Sequence, residues 1–219
     1  MKPAEARVSA HRRDTDDEAA ALVRALDSGA DYVELDIRRS QTGELVVRHD
    51  PLSGDGHHRL ADALRAVRGR AKAHLDLKEP GYEEEVLALA REVFGEDGRD
   101  EYVFTTGFAG SVARAKELDP GVRCALSVGR SPWRPGFAAD LFPVGRIRDC
   151  GADWVALEYR LAGLGVLERC ARAGIPAMLW TVNDPRALRR FLADPRVAVV
   201  ITDLPRTALE LRGRNRRSA

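Results

Sequence analysis

Glu34 and Asp36 stand two residues apart in the run VELDI. In an extended strand, alternate side chains share a face, and their backbones are roughly 6–7 Å apart. HLDLK repeats the spacing with Asp76 and Lys78, while His11-Arg12 closes ARVSAHR and His49-Asp50 follows ELVVR. Carboxylates that converge repel one another and are costly to bury without compensation. A hard divalent cation such as Mg²⁺ or Ca²⁺ relieves that cost, because it takes oxygen ligands and keeps positions for water or substrate oxygens. No Cys/His cluster suggests a dedicated zinc site. Two histidines beside such a centre can carry protons near neutral pH. Arg12 and Lys78 suit phosphate oxygens, one as a planar fork and the other as a point charge. The combined chemistry is that of metal-assisted phosphodiester cleavage.

The elements that must position these groups alternate along the chain. Short apolar, β-branched segments near 7, 32, 73, 102, 123, 154, 176 and 198 are separated by helical patterns. One such helix carries Leu60, Ala63, Leu64 and Val67 on a single face; another carries Val86, Leu89, Ala90, Val93 and Phe94. Eight βα units in a chain of 219 residues predict an α/β fold, a closed (β/α)8 barrel, in which chemistry gathers where strands end. The helix after the fifth strand is poorly marked, since residues 130–150 carry several Pro and Gly. Residues 1–212 read as a single domain, and 213–219 as a basic, disordered tail.

The segment ending at His49 follows too tight a turn to be a parallel neighbour, so it must fold back as a β-hairpin on the second strand. With Thr42-Gly43 as the two central turn residues, Gln41 pairs with Glu44 and Asp36 faces His49. A register one residue away fits the same pattern.

The composition excludes several classes of function. Lys+Arg 35 against Asp+Glu 34 gives a net charge of +1, with no general pull towards nucleic acid or an acidic membrane. The three cysteines, 124, 150 and 170, form no metal-binding spacing, and Cys124 and Cys170 lie in apolar patterns as core residues. No run is long and apolar enough to span a membrane, and MKPAEARVSAHR lacks the apolar core of a signal peptide. Cytoplasmic residence is the expectation. Oligomeric state does not follow from the sequence.

In order along the chain, AHR, GADYVELDIRRSQTGELVVRHDP, HLDLK, LWTVNDP and VVITDLP resemble the glycerophosphodiester phosphodiesterase family. That resemblance spans almost the whole chain and implies a TIM barrel that hydrolyses glycerophosphodiesters to an alcohol and glycerol 3-phosphate. It implies His11 and His49 as the general acid/base pair and Glu34 and Asp36 as ligands of one divalent cation. It further implies Arg12 on the phosphate and Lys78 in the pocket. The third metal ligand of the family is a Glu, where this chain has Asp76. Arg13 replaces a Gly, DTDDE replaces Pro-Glu-Asn-Thr with Asp16 and Asp17 at its Glu and Asn, and LSGDGHHRL replaces a longer insertion with an Arg-Thr-Thr signature. Those departures keep two other readings open: a phosphodiesterase for lysophospholipids, and a silent barrel that binds a phosphorylated ligand.

Quieter roles compete for several residues. Asp76 can pair with Lys78 on its own strand, and Asp16 or Asp17 can cap the first helix. His74 reads as a hydrogen-bonded interior residue, and His57 and His58 as solvated. Trp180 ends a strand and is either core or pocket wall, while Glu158 is an outlying candidate for an alcohol group. Thr202-Asp203 before Pro205 reads as a helix cap.

Overall fold

The computed structural model describes residues 5–11, 17–50, 57–130 and 132–217, with side chains to 213. The expected sites Arg12, Arg13 and Asp16 lie outside these residues. Through the first half run β1 (Arg7–Ala10), α1 (Glu18–Leu26), β2 (Tyr32–Arg39), β3 (Leu45–Val47), α2 (Leu60–Val67), β4 (Lys72–Leu77) and α3 (Glu83–Phe94). Then come β5 (Tyr102–Thr106), α4 (Ala109–Leu118), β6 (Cys124–Val128), α5 (Phe137–Leu141), α6 (Val144–Asp149) and β7 (Trp154–Glu158). Finally α7 (Val166–Arg172), β8 (Ala177–Trp180), α8 (Pro185–Leu192), β9 (Val197–Thr202) and α9 (Pro205–Arg217) complete the chain. The last helix therefore continues beyond residue 212, where the sequence pattern suggested its end.

All strands except β3 pair in parallel, in the order β1-β9-β8-β7-β6-β5-β4-β2, and β1 pairs with β2 to close the ring. This is the expected (β/α)8 barrel. Residues of one parity face outwards: Val33, Leu35 and Ile37 of β2 pack into the main core with the buried faces of the helices. Residues of the other parity face inwards, where Tyr32, Val103, Ala125, Ala156, Met178, Val199 and Ile201 form a separate interior cluster. Further along the same inward parity, β2 and β4 carry Glu34, Asp36, His74 and Asp76. The interior thus changes from apolar to acidic towards the strand ends. Cys124, Cys150 and Cys170 are free and buried.

β3 pairs antiparallel with β2 outside the ring, with Ile37 opposite Val47 and Arg39 opposite Leu45. This register differs by one from the two-residue-turn pairing: Arg48, not His49, donates its backbone N–H to Asp36 O, at 2.7 Å. The loop has three residues, Gln41-Thr42-Gly43, and Ser40 N–H donates to Glu44 O at 2.8 Å. Gly43 has φ +91°, the left-handed geometry that such a three-residue hairpin places on glycine. His57 and His58 are half-buried rather than solvated, with Val47 N–H donating to His58 O at 2.9 Å.

Residues 130–150, weakly patterned in sequence, are organised by Asp140. Its buried carboxylate accepts from the N–H groups of Gly129 and Arg130 at 3.2 and 2.8 Å. Arg130 and Arg146 both reach its other oxygen, at 2.8 and 2.7 Å. Burial alone would raise the Asp140 pKa, but these donors and charges outweigh it and hold the value below 3.8. A depressed folded-state pKa stabilises the fold above the unfolded value and ceases to do so as pH falls through the folded one. Asp140→Asn is expected to cost about 1–3 kcal/mol at neutral pH, from the loss of charge-assisted hydrogen bonds. The melting-temperature gap to wild type should be constant above pH 5 and close in acid; a gap independent of pH would show that the charge is not what stabilises this loop.

Candidate active site

The acidic cluster is built by strand register. β2 and β4 run parallel with Asp36 beside Asp76 and Glu34 beside His74, so inward parity brings all three carboxylates to one end of the barrel. One oxygen from each of Glu34, Asp36 and Asp76 lies within 4.8 Å of the others. Ligands on opposite sides of one Ca²⁺ stand roughly 4.6–5.2 Å apart, and those around the smaller Mg²⁺ stand closer. The donors are hard oxygens, and Glu34 and Asp36 are buried. By spacing and by chemistry the three fit a single divalent cation.

Lys78 reaches the same cluster. Its Nζ lies 2.8 Å from Asp36 Oδ1 and 2.6 Å from Asp76 Oδ2. Burial would lower the ammonium pKa, but Asp76 and Asp36 more than offset it, so Lys78 stays charged. Asp76 therefore pairs with Lys78 and also stands in the acidic group; the two roles coexist. Asp76 Oδ1 accepts in addition from Thr105 Oγ1 at 2.6 Å. Burial pushes Glu34 up to about 8, with Asp36 and Asp76 adding to the rise while His11 and Lys78 oppose it. A cation bound there would act in the opposite sense.

His11 follows β1, and its Nδ1 lies 2.7 Å from Asp203 Oδ1. An ionised carboxylate can only accept, so Nδ1 carries the proton and Nε2 is left for chemistry. Burial alone would lower the His11 pKa, yet the Asp203 hydrogen bond together with Glu34 and Asp36 raises it to about 9. Asp203 is held in turn by Asn183 Nδ2 at 2.5 Å, and its backbone N–H donates to Asn183 Oδ1 at 3.0 Å. The cap reading of Asp203 is thus corrected: α9 starts at Pro205, and Thr202 Oγ1 is the group that accepts from Leu204 N–H, at 3.0 Å.

His49 comes from the other side of the mouth, its ring centroid 6.3 Å from that of His11 at 87°. It lies beyond the paired part of β3, so the shifted register does not carry it away. Arg38, two residues past Asp36 on the same face of β2, donates from Nε and Nη2 to His49 O at 3.0 and 2.9 Å. Arg38 also pairs with Glu79. Pattern reading missed Arg38, although the parity 34, 36, 38 runs straight to it.

A cavity of about 360 Å³ joins these groups and is lined by His11, Glu34, His49, Asp76, Lys78 and Trp180, among others. Trp180 is a pocket wall: its Nε1 donates to Ala156 O at 2.9 Å, which fixes the indole. Gly129 lets it seat, because a Cβ there would lie 2.7 Å from Trp180 Cζ2 and 2.5 Å from Glu158 Cβ. His74 is interior, hydrogen-bonded to Ser9 Oγ at 3.3 Å and Thr105 Oγ1 at 2.9 Å, and burial lowers its pKa to about 4. Glu158 caps a 3-10 turn through Arg160 N–H at 3.1 Å and takes no part in the cavity lining. Asp17 caps α1 through Ala20 N–H at 2.8 Å.

Residues 18–79 match the sequence model of the Glycerophosphoryl diester phosphodiesterase family, a stretch that holds Glu34, Asp36, His49, Asp76 and Lys78. A search of curated protein sequences returns no significant match. Among solved structures, a glycerophosphodiester phosphodiesterase from Parabacteroides distasonis is similar at TM-score 0.73 and 17% identity, covering 96% of this chain and 98% of its own. One from Agrobacterium tumefaciens gives 0.73 and 21%, covering 94% and 99%. An Oleispira antarctica phosphodiesterase, solved with the product sn-glycerol-3-phosphate, gives 0.72 and 20%, covering 94% and 96%. At these identities the structural likeness is one of fold. The sequence match is confined to residues 18–79, while the barrel is shared with these solved structures over nearly its full length.

Proposed function

We propose that the protein hydrolyses glycerophosphodiesters to an alcohol and glycerol 3-phosphate, with His11 and His49 as the general acid/base pair. The observation that carries this reading is the convergence of two histidines from separate segments on one cavity with the Glu34–Asp36–Asp76 group. In this reading those three carboxylates hold one Mg²⁺ or Ca²⁺, whose contribution when bound is to offset the negative charge that grows on the phosphoryl oxygens. One histidine removes a proton from the attacking hydroxyl and the other protonates the leaving alcohol. Asp203 is a positioning residue: it fixes the His11 tautomer and favours the protonated ring. Arg38 holds the backbone that carries His49. Lys78 supplies a fixed positive charge for phosphate oxygens, and Trp180 forms a flat wall for the substrate. Arg12, next to His11, is assigned to the phosphate on the family resemblance.

A second reading draws on Lys78, which lies between Asp36 and Asp76 and partly balances them without a metal. Such a cluster would also serve a barrel that binds a phosphorylated ligand and leaves it intact. Assays with glycerophosphocholine, with and without chelator, separate the two. We expect chelator-sensitive release of glycerol 3-phosphate, restored by Mg²⁺ or Ca²⁺. His49→Ala should lower kcat by about 10²–10⁴-fold, the usual contribution of a positioned acid or base. Turnover that ignores the chelator, or full activity of His49→Ala, would overturn the mechanism; tight binding without turnover would favour the silent barrel.

The Asp203–His11 pair makes a separate prediction for metal-free protein. A raised histidine pKa stabilises the fold fully below the unfolded value of 6.5, and this is lost as pH rises through about 9. In Asp203→Asn the His11 ring, followed by NMR titration, should titrate well below 9. The stability difference from wild type should be greatest below pH 6.5 and shrink towards pH 9. An unmoved His11 titration would exclude Asp203 as the cause.

A further inference from the structure

A second cavity of about 570 Å³ opens beside the first, and Gly107 and Phe108 line both. Its remaining wall includes Gly110 and Ser111 from the first turn of α4, together with Arg130 and Arg146. The two guanidinium groups converge because each donates to the same oxygen of the buried Asp140, which fixes both heads in place. Arg146 Nε is buried and has no acceptor among the described residues. α4 starts without a side-chain cap and without an acidic residue of its own in the first turn, so Glu83, reaching over from α3, is the acid nearest its positive end. A Cβ at Gly107 or Gly110 would meet nothing within 4 Å, so the approach to that end is open. Glu83 is the acidic group in the wall, and its carboxylate accepts from Gly81 N–H at 3.0 and 3.1 Å. Burial would raise the Glu83 pKa, but the donors around it, Ser111 and Gly81 N–H, outweigh burial and lower it.

From this cavity we infer a subsite for a second phosphate, carried on the alcohol half of the diester that occupies the first cavity. The inference rests on the phosphodiesterase reading. Gly107 and Phe108 form the shared sill between cleavage site and subsite. A phosphate monoester suits the subsite because its several acceptor oxygens can take N–H groups from Arg130, Arg146 and the start of α4 together. A quaternary ammonium at the same place would meet the two guanidinium heads, with Asp140 buried behind them and Glu83 already held by Gly81 N–H. The predicted substrate class is therefore a glycerophosphodiester with an anionic alcohol half, in preference to one with a choline-like half.

The test uses a matched pair, glycerophosphoinositol and glycerophosphoinositol 4-phosphate, which share the scissile linkage and differ by one remote phosphate on the leaving alcohol. For the full chain with Mg²⁺ or Ca²⁺, kcat/KM should favour the phosphorylated member by roughly tenfold or more, as a charge-assisted hydrogen bond supports. Arg130→Gln should collapse that ratio and Arg130→Lys should keep most of it. Asp140 retains Arg146 and two backbone donors in both variants, and thermal melting checks their folding. Equal kcat/KM for the pair in wild type, or an unchanged ratio in folded Arg130→Gln, overturns the subsite. If neither diester is turned over, the phosphodiesterase reading falls and calorimetric titration with the same pair decides the subsite. Tighter binding of the phosphorylated member that Arg130→Gln abolishes supports it, and equal affinity rejects it.

Discussion

Mutual repulsion among Glu34, Asp36 and Asp76 is the constraint around which this end of the barrel is arranged. Three carboxylates within 4.8 Å of one another, two of them buried, are a costly assembly for any fold. Strand register leaves no escape, since moving any one of them out of the interior would reverse the parity of a whole strand. Compensation therefore has to come from the surroundings. Lys78 meets two of the acids, Thr105 donates to the third side of Asp76, and His11 acquires a proton affinity well above the ordinary imidazole value.

The same constraint accounts for the layout of the interior. Below the acids, His74 fills the barrel as a neutral, hydrogen-bonded ring between Ser9 and Thr105, and beneath it the lining is apolar. A charged ring at that depth would add a cation with no route to solvent, and burial holds its pKa at about 4. Above the acids, the two histidines to which the proposed mechanism gives proton transfer sit just past β1 and just past β3. Each is steered by a neighbour outside the cluster: His11 by Asp203 and Asn183, His49 by the Arg38 grip on its carbonyl.

How much of this is legible in sequence follows from the range of the interactions. The eight barrel strands are visible because parity and alternation are local, and the same parity places Glu34, Asp36 and Asp76 together before any coordinates. The hairpin register shifts by one because Gln41-Thr42-Gly43 supports either a two- or a three-residue loop, and the left-handed Gly43 decides it. Asp203 hides as a helix cap because an acid before Pro205 has that local role by default; its partner His11 is far away in sequence. Arg38 was within reach of the parity argument, but its acceptor is a backbone carbonyl, which no residue pattern marks. The Asp140 hub joins two short helices through long side chains, so nothing periodic announces it.

Division of labour between strands and loops then carries a functional consequence. Groups that must hold fixed spacing, Glu34, Asp36 and Asp76, are on paired strands whose backbone hydrogen bonds open only when the barrel opens. His49 stands on a segment beyond its strand pairing, and its side chain is 43% exposed. Its ring can change rotamer without disturbing the ladder. On the proposed mechanism, a fixed floor of acids and a solvent-facing histidine would suit a reaction in which charge accumulates at one point while protons enter and leave from solvent. Arg38 links the two, because it lies on β2 two residues beyond Asp36 and holds the segment that carries His49 by its carbonyl. The strand that concentrates the negative charge thereby also anchors the backbone from which His49 reaches the cavity.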